Sequence, residues 1–294
     1  MINVLHLGLS YACNMHCKHC FVSKKKDKIS TNDIKKLIDK LYEYGLVMVY
    51  YTYGEPLLAR NFSEVCQYVK HKGLVQILMT NGSLFSQEVL CDIKENNISN
   101  IFISIDDINY KEHDLNRGVN GTYEKALSAI RMCKKAGLKV GISTTITSKN
   151  VNHFDKIYAL ALDEEVNIIS FLRERKHGQL LPLTKEQMTN YQNILYRCMT
   201  SGNSIGLNFH DPSLRPWLKD LYDGGHIDRN TYNKYDVMCS CHKETTISVA
   251  PDGSISACNL AQRIMGNILV DDIEEIIKNY ETEKDYICSS SISQ

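Results

Sequence analysis

Three cysteines stand close together near the start of the chain, in Cys13-Asn14-Met15-His16-Cys17-Lys18-His19-Cys20. A Cys-x-x-x-Cys-x-x-Cys run on one short loop offers three thiolates to one metal centre. Three thiolates can hold three irons of a cubane cluster and leave the fourth iron without a protein ligand, a corner where chemistry can occur. The same loop could instead hold zinc, with His16 or His19 as fourth ligand. A second set lies toward the other end: Cys239-Ser240-Cys241-His242, then Ala250-Pro251-Asp252-Gly253, then Cys258, with Cys288 beyond. A hairpin turning at Pro-Asp-Gly would draw its flanking cysteines together. Shared ligation of one metal becomes plausible, and Cys239, Cys241, His242 and Cys258 would make a reasonable zinc set.

Such groups need elements to hold them. Six short runs rich in β-branched or aromatic residues read as strands: 3–8, 46–52, 74–80, 101–105, 138–146 and 166–172. Helices lie between them. Ser30 with Asp33 forms a capping signal, Ile34, Leu37, Ile38 and Leu41 share one face, and Gly45 closes the segment. Phe62, Val65, Cys66 and Val69 repeat the pattern up to Gly73, and Tyr123, Ala126, Ile130 and Cys133 up to Gly137. Strand, helix, strand repeats require parallel pairing with crossovers. Without a Gly-x-Gly-x-x-Gly turn after the first strand, the expected α/β fold is a partial (β/α)6 TIM-like barrel, with functional groups at the C-terminal strand ends. The expected division is a barrel over 1–205, a linker over 206–235 and a small cysteine-rich module over 236–294 that relies partly on metal for stability. Cys66, Cys91, Cys133 and Cys198 fall in helical stretches and read as buried small hydrophobes.

The chain has 294 residues, 43% of them hydrophobic, enough for one large or two modest domains. Its 34 basic residues balance its 34 acidic ones, so it has no global attraction to nucleic acid or anionic lipid. No apolar stretch approaches the roughly 18 residues needed to span a bilayer. Neither nucleic acid nor membrane is therefore expected as a partner. Eleven bunched cysteines in a long chain without an export signal suit metal in a reducing compartment, and the expected location is the cytoplasm.

The cysteine loop resembles that of the radical S-adenosylmethionine (radical SAM) enzymes, and the likeness continues along the chain. Tyr53-Gly54-Glu55-Pro56 is similar to the family's Gly-Gly-Glu-Pro motif, with tyrosine in place of the first glycine. Thr80-Asn81-Gly82 and Ser104-Ile105-Asp106-Asp107 match family strand ends, and the segment from His113 to Ala126 resembles the subgroup with a C-terminal cluster module. The tail resembles SPASM and twitch modules: Cys239 and Cys241 both suit the first position, followed by Gly253 and Cys258, and the single later Cys288 favours the shortened twitch form.

The resemblance implies a [4Fe-4S] cluster on Cys13, Cys17 and Cys20, its open iron chelated by the amino and carboxylate groups of SAM. The family cleaves SAM reductively to a 5′-deoxyadenosyl radical that takes a hydrogen atom from substrate. By the same resemblance His19 lies beside the adenine, Gly54 and Glu55 bind the SAM ammonium, and Ser104 and Asp106 face the ribose. Asn81 lies near SAM or orders its loops. Arg117 contacts SAM or a neighbouring carboxylate, or ties its loop down. Ser143 and Arg173 also fall at SAM contacts, Arg173 as a fork for the methionyl carboxylate. Cys239, Cys241, Cys258 and Cys288 would hold an auxiliary cluster, and Cys241, if it is not a ligand, is the candidate hydrogen-atom donor. The implied substrate is a ribosomally made peptide that is cross-linked, epimerised or oxidised. An external reductant such as flavodoxin or ferredoxin is implied. Because the chain opens on its first strand, leader recognition falls to a separate protein or to the barrel mouth. The alternatives are a dehydrogenase or epimerase of a carbohydrate-type small molecule such as an aminoglycoside, and a non-catalytic zinc or electron-transfer protein.

Overall fold

All six apolar runs are strands: β1 (Val4–Gly8), β2 (Met48–Thr52), β3 (Val75–Thr80), β4 (Asn100–Ser104), β5 (Lys139–Ile146) and β6 (Ile168–Arg173). The computed structural model describes residues 2–22, 25–176, 178–235, 246–260 and 263–279. Between the strands run α1 (Thr31–Glu43), α2 (Phe62–His71), α3 (Gln87–Glu95), α4 (Tyr110–Arg117), α5 (Thr122–Lys135) and α6 (Asp155–Asp163). The capping box at Ser30 and Asp33 forms, and Ile34, Leu37, Ile38 and Leu41 are the buried face of α1.

Strand alternation separates two environments. Leu5 and Leu7 of β1 and Val49 and Tyr51 of β2 are fully buried, while the intervening His6 and Tyr50 line the barrel's interior cavity. After β6 come a two-stranded hairpin of β7 (Arg175–Lys176) and β8 (Gln179–Leu180), then α7 (Lys185–Thr200).

The segment expected as a linker is ordered structure. It contains β9 (Gly206–His210), α8 (Arg215–Asp223) and α9 (Arg229–Tyr235), and β9 pairs in parallel with β6. Its signal was short: Leu207 and Phe209 alternate with exposed or half-buried neighbours over five residues, and Leu218 is the one fully buried residue of α8. The tail also extends the barrel. β10 (Thr246–Val249) pairs in parallel with β1, from Val4 opposite Thr246 to Leu7 opposite Val249, and continues antiparallel into β11 (Ser254–Ser256) and β12 (Ile264–Asn267). One open sheet results, in the order β12-β11-β10-β1-β2-β3-β4-β5-β6-β9. The Pro-Asp-Gly hairpin is present, with Gly253 at φ +86° and its N–H donating to Ala250 O. Cys239, Cys241, His242 and Cys288 lie outside the described residues. Cys66, Cys133 and Cys198 are buried, but Cys91 is exposed, because Leu90 and Ile93 turn the other side of α3 inward. Among the described residues no helix is long and apolar enough to cross a membrane.

Candidate active site

The C-terminal strand ends open onto a cavity of about 790 Å³, lined on one side by Cys13, Cys17, Cys20, Glu55 and Arg117. Backbone bonds fix the cysteine loop. His16 N donates to Arg117 O at 3.0 Å and Lys18 N to Asn116 O at 2.9 Å, so the loop lies along the end of α4. Asp27 accepts from Tyr11 N, and Ala12 O accepts from Glu55 N at 2.8 Å. Close approach explains two glycines. A Cβ on Gly54 would stand 2.4 Å from Ala12 O, and one on Gly118 2.8 Å from His16 O; both residues also have positive φ.

A buried charge network stands behind the middle cysteine. Arg117 Nη1 donates to Cys17 Sγ at 3.7 Å, and its Nε lies 2.7 Å from Asp106 Oδ2. Burial pushes the Cys17 thiol up, opposed by the Arg117 guanidinium. Burial would also raise the Asp106 carboxyl, but Arg117 and the neighbouring histidines overcome it and hold the group down at about 2. Asp106 further accepts from Asn116 Nδ2 at 3.2 Å and Thr145 N at 3.0 Å. Its carboxylate is thus the counter-charge of Arg117 and is absent from the cavity lining, which corrects the expectation that it faces a ribose. His19 lines the cavity, with Asn116 Nδ2 3.0 Å from its Nδ1. Burial lowers its pKa, leaving a neutral ring.

Glu55 is 1% exposed. It accepts from Thr80 Oγ1 at 2.7 Å and Asn81 N at 2.8 Å, but forms no ion pair among the described residues. Burial raises its pKa despite these bonds, as expected of a carboxylate that lacks a close cation. The Asn81 side chain donates to Asn14 Oδ1 and accepts from Ser83 N and Oγ, so it orders the loops around the cysteines. Ser104 and Ser143, paired in register on β4 and β5, line the cavity. Arg173 lines it too, but its fork is occupied: Nη1 donates to the fully buried Asp211 at 2.9 Å and Nη2 to Leu181 O at 2.6 Å. Arg173 thus reaches the cavity, as expected, with Nη1 and Nη2 each already engaged by the protein.

Tyr53 has φ +61°, a conformation that costs a side chain on the order of 1–2 kcal/mol. His6 and Tyr50 also line the cavity, although they belong to none of the sequence motifs. Their rings stack at 4.7 Å on the inner wall, and burial together with His210 lowers His6 to about 4. The available signal was a histidine between Leu5 and Leu7 in an otherwise apolar strand.

The donor set fits the groups implied by the sequence. Cys13, Cys17 and Cys20 present three thiols beside a cation that offsets thiolate charge, Glu55 offers a buried carboxylate for an ammonium, and Ser104 and Ser143 offer hydroxyls for a sugar. Cys258 lines the same cavity from beyond β11.

The family model described as the radical SAM superfamily matches residues 8–161. The Fe-coproporphyrin III synthase of Methanosarcina barkeri is 32% identical over 168 residues, covering 56% of this chain and 42% of that protein. The mycofactocin maturase MftC of Mycolicibacterium smegmatis is 32% identical over 157 residues, 52% of this chain and 40% of that one. The chain thus spans about two fifths of the length of these curated relatives. Among solved structures, Streptococcus suis SuiB bound to its precursor peptide SuiA superposes with a TM-score of 0.74 at 12% identity, covering 94% of this chain and 64% of SuiB. SuiB bound to S-adenosylmethionine gives 0.72 at 12% identity, with 94% and 65% covered. The structural likeness speaks for the partial-barrel fold alone. With the cysteine loop at the end of the first barrel strand and more than half the sequence under the family pattern, the chain belongs to the radical SAM superfamily, whose members use a [4Fe-4S] cluster and S-adenosylmethionine.

Proposed function

We propose that this chain is a SAM-dependent radical enzyme acting on a ribosomally made peptide. The observation that carries the reading is that three loop thiols, a buried carboxylate with no ion pair among the described residues and two strand-end hydroxyls line one cavity. Cys13, Cys17 and Cys20 would hold the cluster, which when bound would supply the electron for reductive cleavage of the SAM sulfonium and so the means of hydrogen-atom abstraction from substrate. Arg117 keeps a positive charge against Cys17, and Asp106 holds that guanidinium in place. Thr80 and Asn81 aim the Glu55 carboxylate, which takes the ligand ammonium. Met79, Phe102 and Leu172 line the inner wall and keep water from the reacting carbon.

Peptide chemistry is supported by MftC, by the Bacillus subtilis antilisterial bacteriocin subtilosin biosynthesis protein AlbA, and by the SuiA-bound SuiB. A small-molecule substrate is the second reading, supported by the relatives named Fe-coproporphyrin III synthase and AdoMet-dependent heme synthase. Cys258, with Cys239, Cys241 and Cys288, would hold an auxiliary cluster, and a flavodoxin- or ferredoxin-type reductant would supply electrons.

The test is anaerobic reconstitution with iron and sulfide, reduction, and quantification of 5′-deoxyadenosine from SAM with a candidate precursor peptide present. The nucleoside should form, Cys17→Ala should abolish it, and the peptide should lose two hydrogens or exchange one with solvent. No nucleoside from the wild-type chain would overturn the reading. Turnover with a porphyrin and none with peptides would move it to the second substrate class.

A further inference from the structure

The departure at Tyr53 from the family's glycine has a structural partner on each side. Its ring packs edge-on against Tyr11 at 6.3 Å and against Phe21 at 6.0 Å. These two aromatics bracket the cysteine loop, one before Cys13 and one just after Cys20. Its hydroxyl lies 3.1 Å from Ser248 Oγ on β10, in the C-terminal hairpin. Room is made for the ring by Gly8, where a Cβ would stand 2.8 Å from Tyr53 Cδ2 and 2.6 Å from Pro251 Cδ. The hairpin turn is clasped in return by the chain that follows the loop: Lys28 N and Ile29 N donate to Pro251 O at 2.8 and 3.2 Å, and Lys25 Nζ to Asp252 Oδ2 at 3.0 Å.

We propose that Tyr53 is a positioning residue that couples the cysteine loop to the C-terminal hairpin, so that the loop's thiols and Cys258 face the cavity in one fixed relation. The ring fills the space between the two aromatics, and the hydroxyl anchors β10. A glycine at this position would accept the positive φ without strain but would leave both sides without their shared contact. A residue persists in a costly backbone conformation when its surroundings over-determine it, and here ring and hydroxyl both do. The purpose assigned to this coupling rests on the function proposed above.

Hydrogen–deuterium exchange on the full chain tests it, comparing Tyr53→Gly, Tyr53→Phe and Ser248→Ala. In Tyr53→Gly, residues 9–22 and 246–256 should exchange together roughly tenfold faster, while β3 to β5 keep wild-type rates as the control for folding. Tyr53→Phe and Ser248→Ala should speed exchange of 246–256 by about threefold and leave 9–22 unchanged. In the reconstituted chain Tyr53→Gly should lower kcat for SAM cleavage roughly tenfold with KM within about threefold, and Tyr53→Phe should restore kcat. Loosening of one segment alone in Tyr53→Gly, or of neither, overturns the proposal. If Tyr53→Gly does not fold, unchanged hairpin exchange in both Tyr53→Phe and Ser248→Ala overturns it instead. Exchange is read without turnover, so a wild-type chain that cleaves no SAM removes the functional reading and leaves the coupling judged on its own.

Discussion

On the wall built from β1 to β4 and the end of α4, side chains are committed to one another: Arg117 to Asp106 and Cys17, Glu55 to Thr80 and Asn81, Asn81 to Asn14 and Ser83. The wall built from β6, β9 and α9 is looser in its bonding. Arg173 is held by Asp211, and Arg175 on the adjoining β7 donates through Nη1 to Gly178 O at 3.0 Å, while its Nε has no hydrogen-bond partner among the described residues. Lys234 and Tyr235 complete that side. The contrast teaches how one barrel divides its work. A wall whose dipoles and charges are fixed in advance suits an invariant ligand, because no reorganisation is needed at the moment of reaction. A donor left unmatched among the described residues beside the other wall suits a partner that brings its own acceptor, the kind of contact by which ligands are told apart.

Breaking the committed wall at its buried ion pair should have the largest effect. Arg117→Ala leaves Asp106 charged and enclosed, and should destabilise the chain by about 3–5 kcal/mol in urea unfolding. Asp106→Asn in the same background should recover part of that loss.

The next effect in size comes from His113, 1% exposed on α4, whose Nδ1 accepts from Asp106 N at 3.2 Å. Burial, then Arg117, lower it from 6.5 to about 4. A base whose folded pKa is depressed contributes full stability above its unfolded pKa and loses it as pH falls toward the folded value. Stability should therefore drop between pH 6.5 and 4, with up to about 3 kcal/mol of the loss from His113, and His113→Gln should remove that share while the share of His6, also lowered to about 4, persists. Asp106 does not contribute in this window, because it stays ionised down to about 2.

Glu55→Gln should weaken SAM binding by about 2 kcal/mol, roughly thirtyfold in Kd, and also lower folding stability by about 1–2 kcal/mol, because its amide NH2 must face a buried donor that the carboxylate accepts from. Wild-type affinity should fall as pH drops through the raised carboxyl pKa, and the glutamine variant should lack that dependence. The smallest effect belongs to the looser wall. Arg175→Ala should leave SAM affinity and SAM cleavage without substrate within about twofold, and change only the yield of modified substrate. A large loss of SAM binding in that variant would erase the distinction between the walls.

What was legible in the sequence follows the same division. The six strands were readable as apolar runs of strand length and the cysteine loop from its spacing, whereas Gly54 and Glu55 stood out only through their likeness to a family motif. β9 was missed because five residues between glycine- and proline-containing stretches carry only two buried side chains. Asp106 and Arg173 were placed at the cavity by motif position, but their partners, Arg117 and Asp211, come from other elements, and no local pattern reports a tertiary ion pair. His6 lay in plain view, yet a histidine in a strand gives no sign of which face it occupies until the register with Tyr50 is known.

Low-temperature electron paramagnetic resonance of the anaerobically reconstituted, reduced chain, with Cys239, Cys241, Cys258 and Cys288 changed to alanine, addresses the loop most directly. A [4Fe-4S] signal whose g values shift on adding S-adenosylmethionine is the predicted result. Zinc bound in the loop, or an iron–sulfur signal indifferent to that nucleotide, would contradict it.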